Sequence, residues 1–397
     1  MSSSERSPTL LWDGKSDTPP QALGDFVTEN DEKTRFDSAR SALIQGDNLP
    51  VLQALLPALE GQIRCVYLDP PYNTGTTFEH YRDAQAHNDW LTMMRDRLVA
   101  IRPLLHPEAV VFVQIDDRES AYLQLVMDEV FGRARRINTI CVKMSELSGV
   151  KMTHAGDRLP KLKEYLHVYG ASPSAVLQPF TQLKDEETLR RYLRYYTQII
   201  EDPSLPVESW VIRPIRDVMR EAGLEITADS LRAYQLQHRD RVVYRTNNAL
   251  LSKLQFPSAT ARVVSPTGIE YVWWEGRQML FLKDHVETTL GDLWTDISTI
   301  NLHREGGVSF RSSKKPEALL ERIIHLGSHP GDWVLDAFAG SGTTAAVAER
   351  MGRRWIAIEE GAHAQTHIVP RLSTLSASEG RPFDYQFLVW KKHARSR

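Results

Sequence analysis

Short apolar runs alternate with amphipathic segments through the first 170 residues. Leu43-Ile44 runs into Gln45-Gly46-Asp47-Asn48, after which Leu52, Leu55, Leu56 and Leu59 fall at helical spacing. The pattern predicts a strand, a turn that caps a helix with Asp47 or Asn48, and a helix over 49–59. The stretch 66–75, VYLDPPYNTG, reads as a buried strand whose carboxyl end opens into a loop. A helix over 90–105 follows, with Leu91, Met94, Leu98 and Ile101 on one side and a stop at Pro103. Then come a strand over 110–115 ending in Asp116-Asp117, a helix over 120–131 ending at Gly132, and a strand over 165–169. Such alternation implies an α/β fold built on a doubly wound, mostly parallel sheet. In such sheets, ligands sit outside the carboxyl ends of the strands.

After Gly170 the alternation breaks. The spacing predicts an amphipathic helix over 186–200 closed by Pro203, shorter helices over 214–222 and 228–237, and strands over 241–245 and 269–274. From 315 the α/β pattern resumes: a helix over 318–326, a strand over 333–335, a small-residue helix over 345–351 ending at Gly352, and a strand over 355–358 ending in Glu359-Glu360. The expected organisation is therefore a loosely ordered arm over 1–35, one half of an α/β domain over 36–170, an insertion over 171–290 with its own small core, and the second half over 291–397.

Composition narrows the classes. With 397 residues, 42% hydrophobic and 25% charged, the chain has a globular balance. No apolar segment approaches a membrane span and the Ser-rich start lacks an apolar signal core, so the expected location is the cytoplasm and no membrane partner is expected. Two cysteines, Cys65 and Cys141, exclude a disulfide framework and a cysteine zinc site, and no metal is expected. The net charge of −3 is no global sign of a nucleic-acid partner. Locally, however, residues 133–163 hold eight Lys/Arg, among them Arg135, Arg136, Lys143 and Lys151, against two acids. That strip is a candidate phosphate contact. Residues 181–250 hold eleven of each sign and give no such signal.

Two stretches carry candidate chemistry. In Asp69-Pro70-Pro71-Tyr72, consecutive prolines fix φ and remove two N–H donors, so the turn presents carbonyl oxygens. Asp69 adds a carboxylate acceptor and Tyr72 a face on which a ring can stack for about 1–3 kcal/mol. Together these suit an aromatic amine. In Asp336-Ala337-Phe338-Ala339-Gly340-Ser341-Gly342-Thr343-Thr344, two glycines sit where a strand turns into a helix, and Glu359 follows Gly340 by nineteen residues at the end of the next strand. An acid at roughly that separation accepts hydrogen bonds from ribose hydroxyls. Gly342 is not followed by Lys, which excludes a phosphate-cradling P-loop. A dinucleotide remains admissible because Ala345 can serve as the third small residue. S-adenosylmethionine (AdoMet) fits better, since Asp336 beside the glycine loop repels a pyrophosphate but welcomes an ammonium and a sulfonium. A methyl donor facing an aromatic amine points to methyl transfer onto an exocyclic nitrogen. Asp69 and the Pro70 carbonyl would accept its hydrogens, and Tyr72 would hold a base flipped from the duplex. Neither cysteine lies in a Pro-Cys context, which argues against attack at cytosine C5.

Asp69–Tyr72 resembles the catalytic motif of amino-group DNA methyltransferases, and Phe338–Thr344 their AdoMet-binding motif. The order, catalytic motif first, is similar to that of the permuted β class. Gly46–Leu49, Glu164–Tyr169, Leu293–Asp296 and Lys315–Glu317 extend the similarity to the modification (Mod) subunits of Type III restriction-modification systems. The resemblance covers 36–170 and 290–360. It implies a Rossmann-like AdoMet-dependent fold with target recognition in the insertion. It also implies methylation of adenine N6 in double-stranded DNA, with Asp69, Pro70, Pro71 and Tyr72 catalytic. By the same carry-over, Asp47, Lys315, Asp336, Phe338, Gly340, Gly342, Thr343 and Glu359 line the cofactor pocket. A homodimer is expected by resemblance alone. No stretch looks like a helicase or nuclease, so a restriction subunit is a separate protein or absent. Two alternatives stand beside this reading: cytosine-N4 methylation, and an idle AdoMet- or DNA-binding recognition subunit.

Overall fold

The computed structural model describes residues 9–21, 23–73, 76–77, 82–83, 85–145, 159–246, 261–264, 270–274, 277–300, 302–308 and 314–393. They form two compact units, Met1–Pro179 with Gly291–Arg397, and Phe180–Leu290.

The first unit is built on an eleven-stranded sheet. Its strands are β1 (Gly24–Val27), β2 (Lys33–Thr34), β3 (Ser41–Gln45), β4 (Ile63–Leu68), β5 (Leu105–Ile115), β6 (Arg136–Lys143), β7 (Lys163–Gly170), β8 (Leu293–Trp294), β9 (Trp333–Asp336), β10 (Arg354–Glu359) and β11 (Tyr385–Lys392). They lie in the order β8-β6-β7-β5-β4-β9-β10-β3-β11-β1-β2. The contiguous block β5-β4-β9-β10-β3-β11 is wholly parallel. β7 runs antiparallel to β5, and β1 antiparallel to β11, so the sheet is mixed at its flanks. The helices are α1 (Asn48–Leu59), α2 (His87–Ile101), α3 (Ser120–Met127), α4 (Glu317–Gly327), α5 (Thr343–Arg350) and α6 (Val369–Glu379).

Local chemistry explains most boundaries. Asp47 caps α1 by accepting the Leu49 N–H at 3.1 Å, the orphan-donor role of an N-cap carboxylate. On α2, Trp90, Met94, Leu98 and Ile101 are fully buried. This helix ends before the expected 105: Pro103 falls in a 3₁₀ turn over Arg102–Leu104, and the chain enters β5 at once, since proline has no N–H for another helical bond. The arm expected to be loosely ordered does not stay so throughout. Residues 24–27 pair with β11 and 33–34 with β1, and the Trp12 indole donates to Thr92 Oγ1 at 2.8 Å.

Among the described residues, the second unit holds an antiparallel sheet of six short strands and the helices Glu186–Leu193, Ile215–Glu221, Ala228–Gln237 and Lys283–Val286. The expected helix over 186–200 stops at Leu193, because Gln198–Ile200 is a strand between Ile212–Pro214 and Val242–Thr246. The β-branched pair Ile199-Ile200 there satisfies its backbone across the sheet rather than along a helix.

Candidate active site

The chain leaves β4 through α2 to β5 on one side, and leaves β9 through α5 to β10 on the other. β4 and β9 are adjacent and parallel. Their carboxyl ends therefore flank the point where the winding direction reverses, the crevice in which open α/β sheets bind ligands. Asp69 directly follows β4, and Asp336 ends β9.

Asp69, Lys315, Asp336, Phe338, Gly340 and Thr343 line one cavity. The turn after β4 is held from several sides. The Tyr72 hydroxyl lies 2.7 Å from Asp69 Oδ1 and 2.8 Å from Glu164 Oε2. Lys315 Nζ lies 2.7 Å from the Tyr72 hydroxyl, 2.9 Å from Glu164 Oε2 and 3.1 Å from Asp69 Oδ1. The Trp90 indole donates to the Pro71 carbonyl at 2.7 Å, while Pro70 is buried. Asn73 closes the turn at φ 54°, its side-chain amide donating to Glu119 at 2.9 Å. Asn is among the few residues other than Gly that adopt this region readily.

The loop after β9 is held by neutral donors. Asp336 Oδ1 accepts the Phe338 N–H at 2.9 Å, and Oδ2 accepts the Thr344 hydroxyl. Glu359 accepts the Gly340 N–H at 2.8 Å on one oxygen and the Gly361 N–H at 2.9 Å on the other. The two glycines of the loop serve different ends. Gly340 adopts φ +53° with open space around a Cβ, whereas a Cβ on Gly342, at φ +74°, would lie 2.7 Å from Ile368 Cγ2. Gly340 thus opens the loop towards the cavity, and Gly342 lets it pack.

Burial raises Asp69 to about 6; the Lys315 charge opposes this and the Glu164 charge adds to it. Asp336 rises further, to about 7, through burial, offset by the Thr344 and Phe338 hydrogen bonds. Glu164 is held below the usual range, because Lys315 together with three hydrogen bonds outweighs its burial. Burial works against the Lys315 ammonium too, but the two carboxylates raise its pKa.

Lys315 lines the cavity and turns its ammonium to Asp69, Glu164 and Tyr72. The expected site residues thus converge at one sheet edge, with two departures. Asp47 lies just beyond β3, capping α1 and paired with Arg97 at 3.1 Å, and like Gly342 and Glu359 it is not among the cavity's lining residues. The basic strip is split. Arg136 starts β6 and Lys143 ends it, seven steps apart, or about 23 Å at roughly 3.3 Å per residue. Register places Lys143 opposite Lys163, beyond the carboxyl end of β5, and Arg136 opposite Tyr169, which pairs with Val111 within β5. Arg135 precedes β6 in a 3₁₀ turn, next to Arg136. Lys151 lies outside the described residues. The motifs gave no role to Glu164 or Gln114. Gln114 is a fully buried polar residue within the apolar run of β5, and that mismatch is the signal that marks it.

A family model described as DNA methylase (N6_N4_Mtase) matches residues 63–369. The chain is 31% identical to the "Probable type III restriction-modification enzyme HindVI Mod subunit" of Haemophilus influenzae, over 90% of this chain and 53% of that one. It is 25% identical to the EcoPI Mod subunit of Escherichia phage P1, over 86% of this chain and 61% of that one. It is 28% identical to the type II methyltransferase M.KpnI of Klebsiella pneumoniae, over 84% of each. The chain therefore spans between half and two thirds of these two Mod subunits.

Proposed function

The chain belongs to the N6/N4 DNA methylase family, and on that premise we propose that it is a site-specific DNA methyltransferase that moves a methyl group from AdoMet to the N6 amine of an adenine flipped out of duplex DNA. One observation carries the reading: the acceptor turn after β4 and the glycine loop after β9 meet at one cavity.

The residues present fit AdoMet. Asp336 is a buried carboxylate that forms no ion pair among the described residues, as suits a cationic ligand. Glu359 Oε2 takes only the Gly340 N–H and keeps a lone pair for a ribose hydroxyl, while Oε1 holds the Gly361 N–H and has His363 Nε2 at 3.0 Å. Asp336, Phe338, Gly340, Thr343 and Glu359 would hold the cofactor, which supplies an electrophilic methyl group. Asp69 and the Pro70 carbonyl would accept the amine's hydrogens and stabilise charge developing on nitrogen, and Tyr72 would stack on the base. Lys143, at the carboxyl end of β6, would meet a phosphate. The segment Phe180–Leu290 would read the target sequence.

The reading extends to a homodimer and to a restriction subunit encoded separately; light scattering with and without that subunit tests both. Cytosine N4 is the other amine such a site accepts. Asp69, where Ser is more frequent among cytosine enzymes, favours adenine. An idle subunit would have no need of the acceptor turn. Incubation with methyl-labelled AdoMet and mixed genomic DNA, followed by nucleoside chromatography, is expected to place the label in N6-methyladenine. Label in N4-methylcytosine would reassign the base, and no label would reject the activity.

A further inference from the structure

Six polar side chains from four separate segments, Tyr67, Asp69, Tyr72, Gln114, Glu164 and Lys315, make one chain of contacts at the acceptor turn. Tyr67 on β4 donates to Gln114 Oε1 at 2.6 Å, and Gln114 Nε2 donates to Glu164 Oε2 at 2.6 Å. That same Glu164 oxygen receives Lys315 at 2.9 Å, and the single Tyr72 hydroxyl hydrogen is shared between it at 2.8 Å and Asp69 Oδ1 at 2.7 Å. The three N–H groups of Lys315 are matched by Glu164, Asp69 and the Tyr72 oxygen, which leaves the ammonium no spare donor. Asp69 is gripped only on Oδ1, by Tyr72 and Lys315, and among the described residues nothing bonds its Oδ2.

Resting on the proposed role of Asp69 as the acceptor, we propose that Glu164 is a positioning residue: it anchors Lys315 and Tyr72 so that Asp69 Oδ1 is locked while Oδ2 is presented to the amine. Stability alone gives no reason for this arrangement, because a buried ion pair seldom outdoes apolar packing. What the network does provide is a fixed direction for both working groups of the turn. Tyr72 is tied down at its hydroxyl, so its ring plane is fixed for stacking. Asp69 cannot rotate its free oxygen away from the cavity without breaking the Lys315 contact to the other oxygen and giving up its share of the Tyr72 hydrogen.

The titratable groups facing Asp69 are Lys315, Glu164, Tyr72, Tyr67 and Asp336, and this sets opposite signs for two substitutions. Glu164→Gln removes a like charge, so Asp69 ionises more easily. Lys315→Met removes the opposing charge, so Asp69 ionises less easily.

The test is single-turnover methylation at saturating AdoMet and DNA across pH 5–9 for wild type, E164Q and K315M, with AdoMet affinity measured alongside. The Asp69 carboxyl is titrated independently by infrared difference spectroscopy, with D69N as blank. E164Q is expected to slow transfer about tenfold to a hundredfold, to leave AdoMet affinity unchanged, and to move the acid limb to lower pH. K315M is expected to move it to higher pH. Acid limbs that stay put or move in the same direction, or a defect of E164Q confined to AdoMet affinity, would overturn the inference. If wild type labels no DNA, the methyltransferase reading fails, and the carboxyl titration still decides the network: Asp69 must titrate lower in E164Q and higher in K315M.

Discussion

Asp69 and Asp336 stand at the ends of adjacent parallel strands and line the same cavity, yet their surroundings differ in kind. Asp69 has an ammonium at 3.1 Å. Asp336 has only a hydroxyl and a backbone N–H, and forms no ion pair among the described residues. Burial raises both, but Asp69 only to about 6 and Asp336 to about 7. On the proposed function, the difference suits one residue type to two roles at one sheet edge. A carboxylate that must accept hydrogens from a neutral amine carries its own counter-ion. A carboxylate that is to meet a cationic ligand is left without one.

The largest effect expected from breaking this comparison is at Asp69. Asp69→Ala should cut methyl transfer by roughly 10²–10³-fold or more, the range seen when one transition-state partner is removed, while AdoMet binding measured by calorimetry stays near wild type. Asp336→Ala should do the reverse, weakening AdoMet by about 10- to 100-fold, as expected for losing a charge-assisted contact of about 1.5–3 kcal/mol. Equal losses in both assays for both variants would erase the distinction.

Tyr72 sharpens the acceptor side. Tyr72→Ala should weaken transfer through lost stacking, worth about 1–3 kcal/mol, and Tyr72→Phe should cost less because the ring remains. A fluorescent base analogue at the target position reports the stacking directly. Since Asp69 accepts only when ionised, transfer should also decline as pH falls through about 6, a limb read from single-turnover rates.

The smallest effect is on stability. Asp336 has a folded value above its ordinary 3.8, so the folded state holds this proton more readily than the unfolded state. The stability tied to that proton is complete below about 4 and is lost as pH rises through about 7. Asp336→Asn, neutral throughout, should therefore melt higher than wild type at pH 8 by roughly 2–4 °C, with the gap narrowing as pH falls and closing below about 4. A gap independent of pH would mean that the carboxylate's charge is not what strains the site.

How much was legible in the chain depended on how local each constraint is. Asp336, Gly340 and Glu359 could be read because a strand, a tight turn, a helix and a second strand follow one another within a short span, and the chemistry sits at fixed offsets within it. Asp69–Tyr72 was legible for the same reason. Glu164 and Gln114 were not, because their partners lie far along the chain: Lys315 meets Tyr72 across 243 residues. Periodicity also misplaced the end of the helix over 186–193. Its apolar positions run on into a strand whose partners, Ile212–Pro214 and Val242–Thr246, are distant in sequence. The basic residues of 133–163 looked like one strip because they are neighbours in sequence, and an eight-residue strand carries Arg136 and Lys143 to its opposite ends.

The division of labour between the two strand ends is tested most directly by a crystal structure of the protein with AdoMet. The account predicts the ribose hydroxyls on Glu359, the methionine end beside Asp336, and the sulfonium methyl facing Asp69 Oδ2. AdoMet bound with its methyl turned away from Asp69, or with its ribose on the β4 turn, would contradict it.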